Sequence, residues 1–320
     1  MEQEEGSLGA MAEDSLDQPI LHQYDLSPFS EKIRLIFGLK DIAWRAVNIP
    51  MILPKPDYVA LTGGYRRTPA LQMGAEIFCD TMLIADEIER RWPQPSLYPD
   101  GRAGHHKALA FWAETNVFWP AAWAAVGANP DALPADFHAD RAAMRGRPPP
   151  EPEQIVATGQ RGIEQLRPQL DWIARMLDGG NKYLLGDAPG IADLALYHCL
   201  WFLDALPNKL QGMLVEAPAV HRWMEAIAGT GHGRRAEMSA HAAIDVAAGA
   251  NTAPPDGAVA DPNFVAGQAV TVQPVDRASP PVTGGLALLT HGQVAVRRRD
   301  PRAGEVVVHF PRLGYRVSRV

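Results

Sequence analysis

Apolar positions along this chain change their period twice, and each change marks a part of the fold. Short apolar runs at 20–25, 42–47, 70–73 and 76–79 are bounded by Pro, Gly and Asp, the pattern of strands. Between and after them, Ile33, Ile36 and Phe37, then Leu83, Ile84 and Ile88, recur at helical spacing. They predict helices over 28–39 and from 81 onward, with a shorter helical segment at 57–61. The resulting order is strand, helix, strand, helix, strand, strand, helix. From 104 to 228 the segments read as helical, at 104–125, 136–144, 153–177 (despite Pro168), 189–205 and 218–228. Past 262 the runs become β-like again, at 269–272, 286–289, 294–296, 305–310 and 314–320. Five short strands between Pro-, Gly- and Asp-rich turns suffice for a small barrel or sandwich.

The segments PQPSLYPDG (93–101) and AAGANTAPPDGAVAD (247–261) read as linkers. The predicted architecture is therefore α+β and multidomain. Residues 1–18 form a disordered tail, 19–98 a mixed domain, 102–246 an all-α helical bundle, 247–261 a linker and 262–320 a small all-β domain. The 320 residues, 47% hydrophobic, are ample for several cores.

A net charge of −7 argues against a chain devoted to nucleic acid. The sign is uneven, since from Asp256 onward there are 8 Arg against 5 acids. Strand alternation puts Arg298 on the opposite face from Arg297 and Arg299, and few aromatics interleave for base stacking. The basic tail thus predicts a solvated or interface-facing strand surface, with no nucleic-acid partner. Cys79 and Cys199, in apolar runs without paired spacing, predict buried reduced thiols. His105 and His106 have no companion at metal-ligand spacing, so no metal is expected. The acidic N-terminus lacks a signal-peptide pattern, and no uncharged apolar run approaches membrane-spanning length. A cytoplasmic protein with no membrane partner is expected.

The chemistry concentrates in residues 65–92. Pro69 has no N–H, so beside a strand it predicts an edge or a tight turn, for which a cis bond is one solution. Thr81 is a good N-cap for the helix that follows. A proline beside a strand, then a hairpin and an acid–hydroxyl helix start, suits the backbone and carboxyl of a small peptide. Ser27, upstream, falls where a strand hands over to a helix N-terminus, and Pro28 suits the first helical position.

Thr68-Pro69-Ala70-Leu71, Cys79-Asp80-Thr81 and Ser27-Pro28-Phe29-Ser30-Glu31-Lys32-Ile33-Arg34 together resemble the glutathione S-transferase superfamily, over roughly residues 19–240. The resemblance implies a thioredoxin-like N-terminal domain, a helical C-terminal domain, glutathione as cosubstrate, a small electrophilic substrate and a possible homodimer. Ordinary members lack the β tail. By the same resemblance Ser27 is the catalytic residue, with Ser30 and then Tyr24 as fallbacks. Its surroundings look omega-like, with Ser where that class has Cys, as in the theta- and zeta-like classes. That points to conjugation or isomerisation and away from thiol–disulfide exchange. Arg67, Thr68, Pro69, Asp80 and Thr81 are implied to hold glutathione, and Phe111, Asn116 and Trp119 are candidates for the second substrate. Trp112 is assigned to core.

A free cysteine thiol has a pKa of about 8.5 and is only a few per cent ionised at neutral pH. Lowering that by about two units takes about 2.7 kcal/mol, which a hydroxyl donor and a helix end can supply together. The run 185–193 resembles the family's internal capping motif, with Gly190 where a hydroxyl residue is usual and Asp193 in a folding role. A non-catalytic relative using the β domain as a partner module is the alternative.

Overall fold

The expected strand and helix order forms at the front of the chain. In the computed structural model, which describes residues 18–178, 180–214, 216–252 and 259–320, it comprises β1 (Ile20–Gln23), α1 (Pro28–Leu39), β2 (Ala43–Asn48), α2 (Pro56–Thr62), β3 (Ala70–Met73), β4 (Glu76–Cys79) and α3 (Thr81–Arg91). The expected tail (but for Gln18) and residues 253–258 of the expected linker lie outside the described residues. β1 pairs parallel with β2 and antiparallel with β3, and β3 pairs antiparallel with β4. This is the thioredoxin-like arrangement.

A helical layer follows. It runs through α4 (Ala103–Trp112), a π-helical turn (Ala113–Val117), α5 (Phe118–Gly127), α6 (Ala135–Ala143), α7 (Pro152–Leu177), α8 (Ile191–Trp201), α9 (Gln211–Leu214) and α10 (Pro218–Ala228). α8 is apolar on nearly every side and buried from Ile191 to Leu200, so it forms the axis of the bundle. Asp193 secures its start: Oδ2 accepts from the Gly190 N–H (3.0 Å), while Oδ1 accepts from the Leu184 N–H (2.9 Å) and Trp223 Nε1 (2.8 Å). Gly190 stands where a hydroxyl residue was expected for a steric reason. A Cβ there would lie 2.3 Å from Cε1 of the buried His106 ring. Where α5 crosses α7, a Cβ on Gly127 would lie 2.3 Å from Gly159 Cα, so the two backbones touch.

The C-terminal part departs from expectation. Residues 234–237, expected within the helical domain, form β5 (Arg234–Glu237), which pairs parallel with β2. Ser239 then caps α11 (Ala240–Gly249), which extends into the expected linker, by accepting from the Ala242 N–H at 3.1 Å. The tail strands are β6 (Ala269–Pro274), β7 (Val282–Leu289), β8 (Gln293–Asp300), β9 (Gly304–Pro311) and β10 (Tyr315–Arg319). They do not close into a separate barrel or sandwich. β9 pairs parallel with β4, and all the strands form one sheet in the order β10-β6-β7-β8-β9-β4-β3-β1-β2-β5. The reason is the free edge that β4 would otherwise present, a row of unpaired N–H and C=O groups. β9 satisfies that edge and stacks His309 on Phe78 with ring centroids 4.5 Å apart.

The sheet separates two cores. On one face Leu21, Trp44, Leu71 and Phe78 pack with α1, α3 and the helical layer. On the other Ile20, Val47, Ala70, Ile77 and Cys79 share a core with α2, α11 and the tail strands. Period-two alternation along β1, β3 and β4 therefore serves two partners at once. Of the tail arginines, Arg302 binds Asp57 and Arg298 donates to the Ala60 carbonyl, Arg297 binds Glu305 within the tail, and Arg277, Arg299, Arg316 and Arg319 are exposed. Both cysteines are buried and free. Among the described residues no helix is long and apolar enough to cross a membrane.

Candidate functional site

Two helix starts face one cavity of about 1430 Å³ between the thioredoxin-like part and the helical layer. The first is Ser27. Its extended backbone (φ −77°) caps α1, and its Oγ accepts from the Ser30 N–H at 3.2 Å. The residue is 2% exposed, yet it reaches the cavity wall. An accepting hydroxyl keeps its proton to donate elsewhere. Ser30 is fully buried within α1 and does not line the cavity, whereas Tyr24 does.

The second start is Asp80. Thr81 was expected as the cap of α3; the cap is Asp80, whose Oδ1 accepts from the Met82 N–H at 3.0 Å, with Thr81 at the first helical position. The N–H of Thr81 consequently has no acceptor within the helix. Asp80 holds φ at 77°, a costly region for a side chain of its kind, and such strain concentrates at functional sites. Burial pushes its carboxyl above the usual range. Its Oδ2 accepts from the Tyr315 hydroxyl at 3.1 Å, so β10 supports this helix start from the far end of the chain.

Between the two starts lies the Thr68–Pro69 bond, which is cis. Thr68 Oγ1 accepts from Lys55 Nζ at 3.4 Å. Burial, aided by Arg141 and Arg66, brings the Lys55 pKa down to about 7. Both neighbouring arginines are paired: Arg66 binds Asp140, and Arg67 binds Asp276 of the tail. The Arg66 N–H also donates to Ser279 Oγ at 3.1 Å. Below the starts Lys32 of α1 binds Glu114, carried by the π-helical turn, and His198 Nε2 lies 3.4 Å from the same carboxylate. Burial opposes charge on Glu114, but Lys32 and His198 outweigh it and hold its pKa at about 2.

Phe111, Asn116 and Trp119 lie on the opposite wall. Trp112, assigned to core, is split: it packs on the first core and also faces the cavity, with Trp172 at 6.3 Å. All nine candidates, Ser27, Arg67, Thr68, Pro69, Asp80, Thr81, Phe111, Asn116 and Trp119, border this one cavity. Tyr315, Asp276 and Glu114 escaped sequence reasoning. The first two act across more than two hundred residues, and Glu114 is one acid in an otherwise ordinary helical pattern.

Comparison with known proteins is consistent with this geometry. The family described as glutathione S-transferase, N-terminal domain, matches residues 21–96, and that described as glutathione S-transferase, C-terminal domain, matches residues 156–226. A crystal structure of a GST-like protein from Pseudomonas syringae is 37% identical, with a TM-score of 0.75 over 95% of this chain and 100% of that chain. Such coverage extends past the helical layer into the tail strands. Poplar glutathione transferase F1 shares the fold at 16% identity, with a TM-score of 0.51 over 66% of this chain and 92% of that one. No curated protein sequence matched.

Proposed function

The chain belongs to the glutathione S-transferase superfamily, and from that premise we propose that it activates the thiolate of glutathione for conjugation or isomerisation of a small electrophile. The observation that carries this reading is the meeting of the Ser27 and Asp80–Thr81 helix starts at one cavity, with Thr68 and Pro69 between them. The Ser27 proton is donated to the glutathione sulfur, while the start of α1 adds positive potential. Together these favour the thiolate over the thiol.

Thr81 offers its N–H and hydroxyl to the γ-glutamyl carboxylate, and Asp80 faces the ammonium. That ammonium restores ionisation to a carboxyl whose burial disfavours charge. The Thr68 backbone pairs with the cysteinyl unit in the manner of an added strand. Arg67 meets the glycine carboxylate, sharing its guanidinium with Asp276. Phe111, Asn116 and Trp119 receive the electrophile. The family likeness extends the proposal to a homodimer, which light scattering tests.

The direct test is glutathione binding and turnover of 1-chloro-2,4-dinitrobenzene by the wild type and by Ser27→Ala. Binding retained with turnover largely lost is expected; unchanged turnover refutes the role of Ser27. The tail strands, which add to the sheet at β4, favour a second reading: a non-catalytic glutathione-binding or protein-interaction member with the β part as partner module. Binding with no turnover of any electrophile by the wild type decides for it.

A further inference from the structure

One end of the cavity carries more positive charge than glutathione uses. Arg66, Arg67, Arg141, Arg145 and Arg147 line it, where α6 and the turn after it approach the 66–67 segment. Two carboxylates serve these five guanidinium groups. Asp140 is shared by Arg66 and Arg141, and Asp276 is bound to Arg67. Among the described residues neither Arg145 nor Arg147 has an ion-pair partner. Arg145 donates to the Arg141 carbonyl at 3.0 Å and lies over the Trp119 ring, 4.7 Å from its centroid, while Arg141 lies over Phe137 at 4.4 Å. Both Arg145 and Arg147 are exposed on the cavity side, and partial burial with the nearby charges of Arg141, Arg147 and Arg67 lowers the Arg145 pKa, against a smaller opposing effect of Asp276. A guanidinium without a carboxylate partner, held among other cations, gains from any anion that enters. Glutathione supplies a glycine carboxylate for Arg67, which leaves Arg145 and Arg147 unanswered.

We propose that the second substrate is an aromatic electrophile bearing an anionic group, its ring on the Trp119 wall and its anion between Arg145 and Arg147. This rests on the transferase reading above and narrows it to a substrate class. The matched probes are 4-chloro-3,5-dinitrobenzoate and its methyl ester. In both, the glutathione sulfur bonds to the ring carbon bearing chlorine, the electron pair is held by the nitro groups, and the C–Cl bond then breaks to release chloride. The thiol proton passes to solvent.

The carboxylate is expected to show a KM about tenfold below that of the ester, a ratio that two charge-assisted contacts account for. The ratio should shrink in about 0.5 M NaCl and approach one in the Arg145→Gln/Arg147→Gln double variant. A binding measurement that needs no turnover accompanies it: quenching of tryptophan fluorescence by 3,5-dinitrobenzoate against its methyl ester. If both chlorides react with equal KM, or the ratio survives in the double variant, the anion site is refuted and the transferase reading stands. If neither reacts while the benzoate quenches at lower concentration than its ester, catalysis is refuted and the anion site stands. Equal quenching by both without reaction, or no quenching, overturns the anion site along with catalysis.

Discussion

The two helix starts at the cavity solve a similar problem in different ways. At α1 the cap is an uncharged Ser27 in an ordinary extended conformation, and its hydrogen bond stays within four residues. At α3 the cap is a half-buried carboxylate on a strained backbone, held in place by Tyr315 from the last strand. The first start is a local object, written by Ser-Pro at a strand's end. The second is an assembled one, complete only when the tail strands have docked. The lesson is that the tail is part of the site's framework: it supports the γ-glutamyl end of the proposed ligand and leaves the sulfur end alone.

Four changes test that contrast, from the largest effect to the smallest. Truncation before residue 259 removes Tyr315 and Asp276 and takes the tail strands' share out of the core on one face of the sheet, leaving only α2 and α11 there. It is expected to prevent stable folding, read as loss of a cooperative thermal transition; a truncated chain that folds and binds glutathione normally would break the comparison. Glu114→Gln comes next. It leaves Lys32 charged and buried without its counter-ion, which costs about 3–5 kcal/mol, measurable by denaturant unfolding. The same pair sets an acid limit. With the Glu114 pKa held at about 2, its stabilisation is complete above the ordinary carboxylate range and is lost as pH falls toward that value. The variant should show a flatter acid limb in a plot of Tm against pH.

Ser27→Ala should lower kcat/KM about a hundredfold, equivalent to about 2.7 kcal/mol, while stability falls by only about 1 kcal/mol. Tyr315→Phe is the smallest change. Loss of one hydrogen bond to Asp80, about 1 kcal/mol, should weaken glutathione binding about fivefold by calorimetry and leave kcat at saturating glutathione intact. A fall in kcat with unchanged affinity would reverse the roles given to the two starts.

Much of the fold was legible because two periods, 2 and 3.6, separate its parts. The segments 28–39 and 153–177 announce themselves by apolar stripes, and the five tail strands by short runs between turns. β5 was not legible, since Arg-Arg-Ala-Glu is exposed at every position and carries no apolar alternation. The joining of β9 to β4 was hidden because backbone groups at a sheet edge carry no residue code. The absence of a hydroxyl at 190 looked like a departure until the His106 ring filled the space. In the site, Ser27, Thr68, Asp80 and Thr81 could be found from short motifs. Tyr315, Asp276 and Arg145 could not, because their meaning comes from neighbours the chain brings up late.

The contact between Gly127 and Gly159 has a consequence for selectivity. Trp119 and Trp123 ride on α5, while Gln169 and Trp172 ride on α7, and the two helices are locked main chain to main chain with no side chain to act as a cushion. A jaw mounted that way has no slack to yield to an oversized guest. Discrimination among the proposed electrophiles then falls to the outline of the cleft as built, and bulk added at either glycine would pry the jaw open before it changed any group that lines the cleft.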